Sequence, residues 1–113
     1  MAIKHTSEIT FKVHLDENKI PEKLEWSATD GGVENEESKA FLLSVWDPAN
    51  KETLRMDLWT KDMPLDDMKF FFYQTLLSMA DTFQRATNDE KMTATIKDFA
   101  DYFGEKMEII EKK

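Results

Sequence analysis

One change of period divides this chain. Between Glu8 and Thr60 apolar side chains recur at alternate positions, and from Leu65 onward they recur at every third or fourth. Alternating side chains lie on opposite faces of a strand, whereas the longer spacing lays them along one helical stripe. The first half must therefore build a sheet and the second must build helices. Strands followed by helices, rather than alternating with them, mark an α+β domain.

The first strand runs from Glu8 to Leu15, with Ile9, Phe11, Val13 and Leu15 on one face and Glu8, Thr10, Lys12 and His14 on the other. Asp16-Glu17-Asn18-Lys19 is turn-like, and alternation resumes with Leu24, Trp26 and Ala28 inward. Two hairpin registers keep the apolar faces together. One sets Lys12 opposite Lys23; the other sets it opposite Glu25 and leaves Pro21 in the loop. Like charges directly opposite are destabilising and Pro cannot donate to a ladder, so the second register is expected. Asp30-Gly31-Gly32 then ends the hairpin, and an acidic loop containing Asp30, Glu34, Glu36 and Glu37 runs to about Ser38.

A third strand covers Ala40 to Trp46. Phe41, Leu43 and Val45 share one face and Leu42, Ser44 and Trp46 the other, a pattern apolar enough on both sides for a central strand. After a turn at Asp47-Pro48-Ala49-Asn50, a fourth strand from Thr53 to Thr60 points Leu54, Met56 and Leu58 inward. If Val45 opposes Leu54, then Leu42 opposes Asp57 and Trp46 opposes Thr53.

Leu65, Met68, Phe72, Leu76, Met79 and Phe83 form the stripe of a first helix reaching about Ala86. Asp62 is the expected N-cap, Pro64 sits in the first turn, and Asp66 and Asp67 face the positive helix end. Thr87-Asn88-Asp89-Glu90 reads as a capping box with Thr87 at the N-cap. The second helix carries Met92, Ile96, Phe99, Phe103, Met107 and Ile110, and the short joint makes the pair an αα-hairpin. Gly104 inside it costs about 1 kcal/mol relative to Ala, so either it allows close packing or the helix weakens there. The expected fold is thus one two-layer α+β domain over residues 1–113: a four-stranded antiparallel meander, about 8–60, with a helical hairpin, about 64–111, packed on one face.

Composition narrows the chemistry. The 113 residues include no cysteine, so zinc ribbons, disulfide scaffolds and thiol nucleophiles are excluded. A net charge of −8 disfavours binding to nucleic-acid phosphates. A hydrophobic share of 41% is too high for a disordered acidic tail. No apolar run nears the ~18 residues of a membrane span, and Met1 to Ser7 lacks the apolar core of a secretion signal, so a cytoplasmic location without membrane insertion is expected. His5 and His14 have no carboxylate or hydroxyl at catalytic spacing, and Asp62, Asp66 and Asp67 are accounted for by the helix start. Neither catalytic residues nor a metal or cofactor site is expected. The candidate interface is Leu42, Trp46 and Trp59, on the sheet face away from the helices, with the acidic residues Asp30, Glu34, Glu36 and Glu37 nearby. Exposed apolar patches rimmed by charge mark interfaces, and Trp is enriched at their centres. A second expectation is a small apolar ligand held between sheet and helices by Trp26, Met68 and Phe72.

Three stretches are distinctive: Leu24-Glu25-Trp26-Ser27-Ala28-Thr29-Asp30-Gly31-Gly32, Asp57-Leu58-Trp59-Thr60-Lys61-Asp62-Met63-Pro64 and Met79-Ala80-Asp81-Thr82-Phe83-Gln84-Arg85-Ala86-Thr87. Together they resemble the gliding-motility protein GldC family of Bacteroidota, over about Ile3 to Ile110. The resemblance implies a non-enzymatic cytoplasmic accessory of the cell-surface gliding machinery. Its partner would be a protein component of that machinery, while the aromatic sheet face also allows contact with a second copy in a homodimer.

Overall fold

The computed structural model describes residues 2–111. The elements run β1 (Ile9–Leu15), β2 (Pro21–Ala28), β3 (Val33–Ser38), β4 (Ala40–Asp47), β5 (Glu52–Trp59), α1 (Leu65–Thr87) and α2 (Glu90–Lys106). The chain divides at Met63/Pro64 into a sheet unit and a helical unit.

The sheet unit is α+β's strand half, but it is not the single four-stranded meander expected. It holds two antiparallel sheets, β1-β2-β3 and β4-β5. β1 and β2 pair in the expected register, with Lys12 opposite Glu25, and Pro21 enters the ladder opposite Leu15 beyond a register shift. The unexpected strand is β3, which occupies the stretch read as an acidic loop. Val33-Glu34-Asn35-Glu36-Glu37-Ser38 has no apolar alternation, so nothing in its period announces a strand. It is held by its ladder to β2 and by a polar cross-strand set. The Asn35 N–H donates to Ser27 Oγ at 2.9 Å, and Lys12 Nζ donates to Asn35 Oδ1 at 3.1 Å.

Only Lys39 separates β3 from β4, yet β3 pairs with β2 and β4 with β5. β4 is therefore not central: its sheet has two strands and so two edges. The two sheets meet around a cluster of short polar contacts. Asp16 accepts from the Asn18 and Ile20 amides and, at 3.0 Å, from Lys61 Nζ. Asp62 pairs with Lys39 at 2.8 Å and accepts from the buried Thr60 hydroxyl at 2.7 Å. Phe11 of β1 stacks on Phe41 of β4 at 4.8 Å, and Leu24 is fully buried.

In the helical unit α1 and α2 pack together across the two-residue joint Asn88-Asp89. Both expected N-caps are displaced. Asp62 is engaged by Lys39 and Thr60, and Pro64 stands at the N-cap of α1 without a side-chain bond. At α2 the cap is Asp89, which accepts from the Met92 N–H at 3.0 Å, while Thr87 is the last residue of α1 and bonds back to the Phe83 carbonyl. The fully buried helical residues are small: Ala80, Thr93, Ala100 and Gly104. Close approach through small side chains leaves larger members of the expected stripes, Leu65, Phe72, Met79, Met92 and Phe99, exposed.

Gly104 explains itself in this setting. A Cβ there would lie 2.8 Å from Tyr73 Cε1 and 3.0 Å from Ile110 Cγ1. Past Lys106 the chain turns back through Glu108, at φ 59°. The Ile109 N–H bonds to the Gly104 carbonyl and the Glu108 N–H to the Glu105 carbonyl. These paired bonds are a Schellman motif, and they bring Ile110 against Gly104.

Candidate interaction surface

The β4-β5 hairpin is assembled by a turn that Asp47 organises. Its carboxylate accepts from the Ala49 N–H at 3.0 Å and from the Asn50 side-chain amide at 2.9 Å. The Asn50 amide and then the Ala49 N–H hold the Asp47 carboxyl below the usual carboxylate range. Lys51 closes the turn with a left-handed φ of 53°. A turn fixed in this way fixes the ladder that leaves it.

The ladder sets Val45 opposite Leu54, Leu43 opposite Met56 and Phe41 opposite Leu58 on one face. On the other, Ala40 faces Trp59, Leu42 faces Asp57, Ser44 faces Arg55 and Trp46 faces Thr53. Leu42, Trp46 and Trp59 thus share a face, at 44%, 60% and 54% exposure. They do not form one continuous patch. Six residues of strand separate the rows of Trp46 and Trp59, about 20 Å, and Ser44, Arg55 and Asp57 fill the interval.

The opposite face departs from expectation more sharply. Val45, Leu54 and Met56, which the sequence places in the core, are 50%, 53% and 54% exposed. A two-stranded sheet has too little width to bury either face by itself. Packing within the sheet unit therefore leaves apolar side chains on both faces of this hairpin uncovered.

The acidic residues are dispersed rather than gathered. Asp30 lies in the β2-β3 turn and is held by His5, at 2.8 Å, and by the Ser7 hydroxyl. Glu37 lies 3.4 Å from Lys39. Glu34 and Glu36 are exposed on β3 and make no ion pair among the described residues. The second imidazole, His14, is bonded to Glu25 at 2.7 Å, and that bond holds the Glu25 carboxyl below its ordinary range. His5 is thus engaged by the exposed Asp30 and His14 by the half-buried Glu25. The sequence reading located the aromatic residues of the hairpin but not its open Val45-Leu54-Met56 face. Strand pattern says which side chains group together, not whether anything covers them.

Among the described residues no helix is long and apolar enough to cross a membrane. Residues 21–109 match the model of a protein family described as gliding motility-associated protein GldC-like. No curated protein and no solved structure matches the chain.

Proposed function

The chain belongs to the GldC-like family, and from that premise we propose that it is a non-enzymatic, cytoplasmic accessory of the gliding machinery whose β4-β5 hairpin makes its working protein contacts. The observation that carries this reading is the hairpin's exposure on both faces, with two tryptophans on one and Val45, Leu54 and Met56 on the other. Large exposed apolar side chains beside charged ones are the usual composition of an interface, and Trp contributes heavily at such sites. Glu34 and Glu36, exposed on β3 and without an ion pair among the described residues, could meet basic side chains of the same partner.

Complementation tests the reading. Deletion of the gene from a gliding host should impair surface spreading, and the wild-type chain should restore it. A Trp46→Ala/Trp59→Ala variant, folded and present at the same level, should not. Full restoration by that variant would remove the hairpin from the function.

A further inference from the structure

The outer edge of β5 has no ladder partner along Thr53 to Trp59, although β2 meets its end at Pro21, and the direction of its backbone groups can be fixed. The Thr60 N–H donates to the Lys39 carbonyl at 2.8 Å on the β4 side, and the next amide, Lys61, donates to the Pro21 carbonyl at 3.1 Å away from it. Backbone groups alternate in direction along a strand. The even-numbered residues of β5 therefore bond to β4, while Thr53, Arg55, Asp57 and Trp59 direct their N–H and C=O groups outward. Among the described residues no strand pairs with that edge. Proline, a bulge or a run of like charge would blunt it. It has none of these, since the β4-β5 register is unbroken and its charges include one Arg and one Asp two residues apart.

We propose that β5 pairs antiparallel with β5 of a second copy about a two-fold axis through Met56, joining two hairpins into a four-stranded sheet ordered β4-β5-β5-β4. This deepens the reading of the hairpin as a contact surface and rests on it.

Charge selects both the occupant and the register. Outward groups can pair about an axis at Arg55, Met56 or Asp57, and axes nearer either end shorten the ladder. An axis at Arg55 sets that residue against its own copy, and an axis at Asp57 does the same for the aspartate. The axis at Met56 sets Arg55 opposite Asp57 of the other copy, twice by symmetry. Opposite charges across a ladder stabilise it and like charges oppose it. The outer edge of β4, with Ala40, Leu42, Ser44 and Trp46, has no charge with which to choose a register.

The same register groups side chains that lie apart in one chain. On one face Met56 meets Met56 and Leu54 meets Leu58, so Val45, Leu54 and Met56 become part of an apolar surface four strands wide. On the other, Trp59 comes opposite Thr53 of the second copy, whose neighbour on β4 is Trp46. Strands about 4.8 Å apart bring those two tryptophan backbones to about 10 Å, across one short threonine. Tryptophans remote within one chain thereby share a row between two.

The chain contains no cysteine, so one introduced thiol reports the axis. Met56 on the axis pairs without mutual backbone bonds, at a Cα separation of about 4.5 Å, inside disulfide range. Under mild oxidation Met56→Cys should form a covalent dimer roughly tenfold faster than Leu54→Cys, which the register holds beyond that range from its own copy. In sedimentation equilibrium the wild type should reach twice the 13.3 kDa chain mass. Arg55→Asp and Asp57→Arg should each weaken association by about tenfold, because each sets like charges opposite at two places. The double variant Arg55→Asp/Asp57→Arg should recover it, with circular dichroism reporting that all four proteins are folded.

A wild type monomeric throughout a concentration series overturns the pairing. So does fastest cross-linking at residue 55 or 57, or a double reversal that stays dissociated. A monomeric wild type whose Trp46→Ala/Trp59→Ala variant still fails to restore movement overturns the dimer alone and assigns the hairpin to a different protein. A dimer cross-linked at Met56, alongside full rescue by that variant, overturns the functional reading and leaves the pairing.

Discussion

Gly104→Ala tests the helical unit at its tightest point. The added methyl would sit 2.8 Å from Tyr73 Cε1 and 3.0 and 3.1 Å from two carbons of Ile110. Ordinary carbon contacts begin near 3.5 Å, so every one of these must lengthen by several tenths of an ångström. The Tyr73 ring is rigid, and Ile110 is tied down by the bond from its own N–H to the Gly104 carbonyl. Overpacking of this kind costs about 1–3 kcal/mol. Against it stands the helix preference for Ala over Gly, about 1 kcal/mol in a helix interior. The net expectation is destabilisation by about 1 kcal/mol, or roughly 4–8 °C in Tm for a domain of this size. Thermal and urea unfolding followed by far-ultraviolet circular dichroism measures it. Ile110→Ala removes two of the three clashes, so Gly104→Ala should cost less in that background than in the wild type. A Gly104→Ala protein as stable as wild type, or more so, would refute the close approach of the C-terminal turn to α2.

The other expectations follow from the caps and the polar cluster. Asp89→Ala should destabilise the helical unit by about 1 kcal/mol through loss of the Met92 cap bond, with a smaller effect for Thr87→Ala, as equilibrium unfolding would show. Glu108→Gly should stabilise by about 0.5–1 kcal/mol, since it relieves a left-handed φ of 59° and removes an acid from a helix C-terminus. The Asp16 carboxyl is held below its ordinary value of 3.8 by the Ile20 amide and then by Lys61. Its stabilising effect is therefore complete above that ordinary value and fades as pH falls through the depressed one. Acid unfolding curves of wild type and Asp16→Asn should accordingly converge at the acid end and separate above about pH 4.

Period, charge and turn chemistry make much of this fold legible in the sequence. Lys12 opposite Glu25 followed from charge and the αα-hairpin from helical spacing, while Val45 opposite Leu54 was a register that the apolar faces allowed without requiring it. β3 was hidden because a polar strand has no apolar period, and its Ser27-Asn35-Lys12 bonds join residues that only the folded ladder brings together. The break at Lys39 was hidden for a related reason, since Ser38-Lys39-Ala40 looks like an ordinary strand entry. Thr87 fits a capping box by spacing, yet Asp89 lies nearer the helix start and takes the Met92 amide. At the candidate surface, grouping was readable and coverage was not. Alternation put Val45, Leu54 and Met56 on one face, and a two-stranded sheet leaves that face uncovered.

Hydrogen exchange along β5 tests the central claim most directly. The even-numbered amides of β5 bond to β4 within one chain, and they should be protected at every protein concentration. The amides of Thr53, Arg55, Asp57 and Trp59 face the outer edge. If β5 pairs with its copy about Met56, these four should be protected in concentrated wild-type protein, and should lose that protection on dilution or in Arg55→Asp. Exchange of all four at the rate of an open edge, unchanged by concentration or by the substitution, would contradict the account.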